Sequence, residues 1–109
     1  MDHRDRIILQ KVLSEIEIAQ DMLCSCTFTA FEQNEMLKRA ICMTVINTGK
    51  LIKNLSEQCR SEYRSIPWKE IAGFRDIAAK YQILRLEDVY ETVISDFHAL
   101  GLQLRSVLE

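Results

Sequence analysis

Apolar residues recur at helical spacing along nearly the whole of this chain, and almost nothing interrupts them. Ile8, Val12, Ile16, Ala19 and Leu23 follow one another at intervals of four, four, three and four residues, the period of one helix face. Leu9 and Leu13 widen that stripe, as a core-facing bundle helix requires. The spacing predicts a first helix over residues 2–26. Thr27-Phe28-Thr29-Ala30-Phe31 is β-branched and aromatic and reads as a connection, with Thr29 and Glu32 spaced as a capping box. A second stripe (Leu37, Ile41, Val45, Thr48, Leu51, Ile52, Leu55) predicts a helix over 31–59. Gly49 lies inside it, where close approach of a neighbouring helix is a reason to keep a glycine. Arg60–Ile66 is a polar connector. Pro67 then opens a third helix, since the first turn does not need its missing N–H. Trp68, Ile71, Phe74 and Ala78 line that helix. The pattern breaks over Tyr81–Leu84. It resumes in a fourth helix with Leu86, Val89, Val93, Phe97, Leu100, Leu104 and Leu108, and Gly101 inside. With three glycines and one proline in 109 residues, breakers are too scarce to favour strands. The expected fold is an all-α, up-and-down bundle of four to five helices, forming one domain over residues 1–109.

No apolar run approaches the length of a membrane span, and Met1-Asp2-His3-Arg4-Asp5-Arg6 lacks the apolar stretch of a signal peptide. A cytoplasmic location is the expectation. Cys24 and Cys26 form a CxC, which on a helix points the two thiols ~200° apart. That favours free, buried or half-buried thiols over a zinc site. The net charge of −2 is unevenly spread. Between Arg60 and Arg85 lie six cations and three anions, while the remainder carries eight cations and thirteen anions. A cationic centre on an acidic frame suits a phosphate chain. A solvated helix surface accounts for the same charges.

Helices three and four carry the string Ile66-Pro67-Trp68-Lys69-Glu70-Ile71-Ala72-Gly73-Phe74-Arg75-Asp76, and later Leu86-Glu87-Asp88-Val89-Tyr90-Glu91-Thr92-Val93. Together with Arg4-Asp5-Arg6-Ile7-Ile8, Lys38-Arg39-Ala40-Ile41 and Thr48-Gly49-Lys50, this resembles the HepT-like family of HEPN proteins over nearly the whole chain. The resemblance implies a HEPN bundle that forms a homodimer and is partnered by a minimal nucleotidyltransferase antitoxin. It also implies a toxin that cuts RNA with neither metal nor cofactor. The family motif is an Arg, four to six residues, then a His, with a Tyr two beyond that the nucleotidyltransferase modifies with AMP. Arg75 and Asp76 match the opening of the motif. Lys80 stands where its His belongs, or Ala79 if the alignment carries a one-residue deletion. Tyr81 then becomes the candidate for AMP modification. Lys50 replaces the acidic residue that the family places after the helix-two glycine.

The substitution bears directly on chemistry. Metal-free RNA cleavage needs a base for the 2′-hydroxyl and an acid for the leaving oxygen. Histidine serves either role with an unperturbed pKa of about 6.5; lysine starts at about 10.4. Asp76 and Lys80 are four residues apart, a spacing that pairs them on one helix face and keeps the lysine charged. Three roles stay open for these groups: a structural Asp76–Lys80 pair, phosphate binding by Arg75 and Lys80 with Arg85, or a catalytic lysine. The expected function is a catalytically impaired partner or RNA-binding protein; the alternative is an active endoribonuclease. His3 at the terminus and His98 beside Phe97 are weaker acid–base candidates. Trp68 is a core residue or a base-stacking platform. Asp88 and Glu91 are a helix surface or, less naturally, a carboxylate pair for a metal.

Overall fold

A computed structural model of the protein describes residues 1–74, 76 and 85–109. Among these it contains helices and connections, with no strand. The first helix, α1 (His3–Leu23), opens where Asp2 accepts the Asp5 N–H at 2.8 Å. It closes through Ser25, whose left-handed backbone (φ 61°) lets the Cys26 N–H reach the Leu23 carbonyl at 2.9 Å. A glycine would hold that conformation without the roughly 1 kcal/mol that a β-carbon costs there.

The expected capping box at Thr29 and Glu32 is replaced by an earlier cap. Thr27 accepts the Ala30 N–H at 3.1 Å and starts a short helix, α2 (Phe28–Glu32). The continuous second helix expected over 31–59 is likewise divided. Asn34 accepts the Leu37 N–H at 3.0 Å and opens α3 (Glu35–Lys53). Ser56 accepts the Cys59 N–H at 3.1 Å and opens α4 (Glu57–Glu62). In both places a side chain able to replace the backbone acceptor competes with continuation of the helix, although the apolar period runs on undisturbed. Residues 60–62, expected in a connector, are the end of α4, and Ile66 is buried.

Pro67 caps α5 (Trp68–Ala72), and the C-terminal run comprises α6 (Leu86–Glu91), a π turn (Thr92–Asp96) and α7 (Phe97–Leu108). The π turn departs from the uninterrupted α-helix that the spacing predicts. It begins at buried Thr92, whose hydroxyl donates back to the Asp88 carbonyl at 2.8 Å and competes with the helical ladder.

The stripes read from the sequence form the core. Leu9, Val12, Ile16 and Ala19 of α1 are fully enclosed, together with Ile41, Val45 and Ile52 of α3 and Phe97 and Leu104 of α7. Thus α1 packs against both α3 and α7, and α3 reaches α5. Aromatic rings tie α2 to α6: Phe28 meets Tyr90 edge-on at 5.5 Å, and the Tyr90 hydroxyl donates to the Cys26 carbonyl at 2.7 Å.

One buried carboxylate sets the register of these helices. Asp5, 2% exposed, accepts the Ser56 N–H at 3.0 Å and the Ser56 hydroxyl on its other oxygen. Burial pushes its carboxyl upward, but the Ser56 hydrogen bonds outweigh it and hold the group below its ordinary value of 3.8. A depressed folded-state pKa stabilises the fold above the ordinary value, and that contribution is lost as pH falls through the folded one. Asp5→Ala is expected to lower stability by about 2–3 kcal/mol at neutral pH, leaving two donors without their charged acceptor. Urea unfolding at pH 7 and in the acid range checks this: the variant should lie closest to the parent at the lowest pH. Gly101 gives the opposite outcome. A β-carbon there would lie 3.6 Å from Ile16 Cγ2 and from the Arg105 guanidinium, ordinary contact distances. Gly101→Ala is therefore expected to raise stability by about 0.5–1 kcal/mol in the same measurement.

Candidate functional site

The segment leading to Arg75 is fastened from below. The Trp68 N–H bonds the Ile66 carbonyl at 2.8 Å, and its indole N–H donates to the Tyr63 carbonyl at 3.1 Å. Trp68, Ile71 and Phe74 are all buried, and the Phe74 ring lies 6.0 Å from that of Phe97. Trp68 is thus a core residue rather than a stacking platform. With Phe74 inward, Asp76 is exposed, its N–H bonded to the Gly73 carbonyl at 3.0 Å. Arg75, Ala79, Lys80 and Tyr81 lie outside the described residues, as does the pairing of Asp76 with Lys80. Arg85 is exposed immediately before α6 and pairs with Glu87 at 3.6 Å. Both partners are well solvated, so the pair contributes little to stability.

The cationic centre expected over residues 60–85 is smaller than its sequence count. Arg60 is turned inward: its guanidinium donates to the Ile52 carbonyl at 2.9 Å and satisfies the end of α3. Arg64 and Lys69 are exposed. His3 is not frayed but begins α1, beside a terminus held by an ion pair from the Met1 amino group to Glu62 at 3.8 Å. His98, Asp88 and Glu91 are all exposed. Among the described residues no group of three or more His, Cys, Asp or Glu side chains is placed to hold a metal. The CxC thiols are more exposed than expected, Cys24 fully and Cys26 in part, and both are free. The other two are interior: burial, then Glu35, pushes the Cys42 thiol up to about 11, and burial raises Cys59 as well.

Beside the Phe74–Asp76 segment lies a cleft of about 380 Å³ between α5 and the π turn with α7. Ile71, Phe74 and Leu100 form its apolar wall, and Glu70, Asp96 and Gln103 supply its polar groups. Partial loss of solvent, and then Glu91, hold the Asp96 carboxyl above its ordinary range. No sequence feature marks this cleft, because its two sides are more than twenty residues apart in the chain. Its chemistry is an apolar slot with acceptor groups at the rim, beside Phe74.

Comparison with known proteins bears on this arrangement. Residues 12–107 match the family model described as Ribonuclease HepT-like. A "Putative RNase" of Caldanaerobacter subterraneus subsp. tengcongensis is 29% identical over 105 residues, covering 95% of this chain and 94% of the relative. A Methanocaldococcus jannaschii protein named "Gamma-glutamylcyclotransferase and putative RNase" is 31% identical over 105 residues. The match covers 95% of this chain but 47% of that relative, so the chain spans about half of its length. A second M. jannaschii "Putative RNase" is 28% identical over 114 aligned positions, covering 88% of this chain and 97% of the relative. No solved structure matches the chain.

Proposed function

The chain belongs to the ribonuclease HepT-like family, and from that premise we propose that it is the HEPN member of a toxin–antitoxin pair that binds RNA but cleaves it poorly. The observation that carries this reading is the residue five places beyond the match to the family's arginine: Arg75-Asp76-Ile77-Ala78-Ala79-Lys80 ends in lysine where the motif has histidine. The groups that hold the motif segment against the core, Trp68, Ile71 and Phe74, are intact and buried. The departure therefore falls on proton transfer and not on the scaffold.

In this reading Arg75 and Lys80, with Arg85 nearby in sequence, hold phosphate. Arg75 also stabilises negative charge that develops on the scissile group. Asp76 keeps Lys80 protonated, so it cannot take the 2′-hydroxyl proton near neutral pH. The chain acts as a homodimer whose paired motif segments face one another, with a minimal nucleotidyltransferase as its partner and Tyr81 as the residue that partner modifies with AMP. The second reading, an active endoribonuclease, is favoured by the names of the relatives and requires lysine to perform the transfer.

Two measurements test the proposal. Lys80→His rebuilds the Arg-x4-His spacing and removes the charge partner of Asp76. Cleavage of RNA in chelator is expected to rise by about 10²-fold or more, the scale of general acid–base assistance, and to vanish again in the Arg75→Ala/Lys80→His double variant. Persistence of cleavage in that double variant would place the chemistry elsewhere. Sedimentation at micromolar concentration is expected to give a species of twice the 12.7 kDa chain mass; a monomer alone would remove the dimeric groove.

A further inference from the structure

We propose that the trough between α1 and α3 is a binding surface for single-stranded RNA, gripping its phosphate backbone on a face distinct from the cleft beside Phe74. The proposal rests on RNA being the protein's ligand, as argued above. Two adjoining cavities, about 340 and 430 Å³, share Lys11, Leu51 and Asn54 and form one continuous trough. The two helices run antiparallel along it: His3 and Arg4 lie at the Asn54 end, and Ser14 and Glu15 with Asn47 at the other.

The charge of this trough opposes that of the chain. Arg4, Lys11 and Lys50 line it against a single carboxylate, Glu15, while the whole protein carries −2. Among the described residues neither Lys11 nor Lys50 has an acidic partner within ion-pair distance. The Asp5 carboxylate interacts with Arg4 but is buried on Ser56 and lines neither cavity. Arg4 and Lys11 are seven residues apart on α1, two turns or about 10 Å along one face. Lys50 projects from α3 into the same trough. Between the cations the surface is apolar, with Ile7 37% exposed and Leu51 half-buried.

A row of separated cations with apolar surface between them suits a linear polyanion whose charges alternate with flat, weakly polar faces. Single-stranded RNA is such a ligand: its phosphates meet the cations and its bases or riboses rest on Ile7 and Leu51. Among the described residues none lines both the trough and the cleft beside Phe74, so the two are different surfaces.

The test is fluorescence anisotropy of an end-labelled oligouridylate titrated with the full-length protein across a salt series. Lys11→Glu/Lys50→Glu is expected to keep the parent's circular dichroism and melting temperature, since both side chains are exposed, and to bind at least tenfold more weakly at low salt. The dependence of log affinity on log salt should become shallower by about 1.4, from two lost contacts at about 0.7 each for a single strand. Arg105→Glu, an exposed charge reversal on α7 outside the trough, should change affinity less than twofold. Four results would overturn the assignment. Equal losses in Arg105→Glu and the double variant would mean that only overall charge matters. Unchanged RNA binding by the double variant would remove the trough and leave the Lys80→His experiment to judge the proposed function independently. An oligoglutamate that binds the parent and not the double variant, with RNA indifferent to both lysines, would make the trough a docking site for an acidic protein. A parent that binds no RNA at any salt would defeat both readings.

Discussion

Hydrophobic burial drives these helices together, but it has no direction and does not choose their register. The directional constraint is the contact between Asp5 and Ser56, fifty-one residues apart. A single buried carboxylate takes both the N–H and the hydroxyl of Ser56, while the same hydroxyl oxygen accepts the Cys59 N–H and opens α4. The start of α1 is thereby fixed to the joint between α3 and α4. Since α1 also lies against α7, the contact determines how the long helices align. Two features follow from that alignment. Arg60 reaches back to close the end of α3, and the trough between α1 and α3 runs antiparallel with Lys11 and Lys50 on opposite walls.

This contact changes what the family likeness means residue by residue. Arg4-Asp5 belongs to the string that resembles the family, and Asp5 serves the fold. Trp68, Ile71 and Phe74 likewise bury the segment before Arg75 in the core. Much of the recognisable string is therefore scaffold. In the proposed reading the chemistry depends on a few positions around Arg75 and Lys80, so a chain can remain a family member with lysine where the motif has histidine.

The helix faces were legible in the sequence because burial repeats at the helical period: the α1 stripe from Ile8 to Leu23 and the C-terminal one from Val89 to Leu104 are core as expected. Helix ends were less legible. Asn34 and Ser56 interrupt a helix whose apolar spacing continues, so the period alone hides the breaks. The family likeness pointed to Arg75, Asp76 and Lys80, but only Asp76 of these lies among the described residues. Charge read along the chain and charge read on the surface differ. Counting cations along the chain favoured residues 60–85, where Arg60 turns out to be structural. The trough instead brings Arg4 and Lys11 of the net-acidic α1 beside Lys50 of α3. Such a surface becomes visible only once α1 and α3 are placed side by side.

The central claim is that the unmodified protein holds RNA without cutting it at a useful rate. A single-turnover experiment addresses this most directly: excess parent protein, labelled RNA and chelator at neutral pH, with binding and product followed in the same samples. The account predicts salt-sensitive complex formation with the RNA recovered intact. Product accumulating in step with complex formation, and lost in Lys80→Ala, would contradict it and assign the proton transfer to lysine.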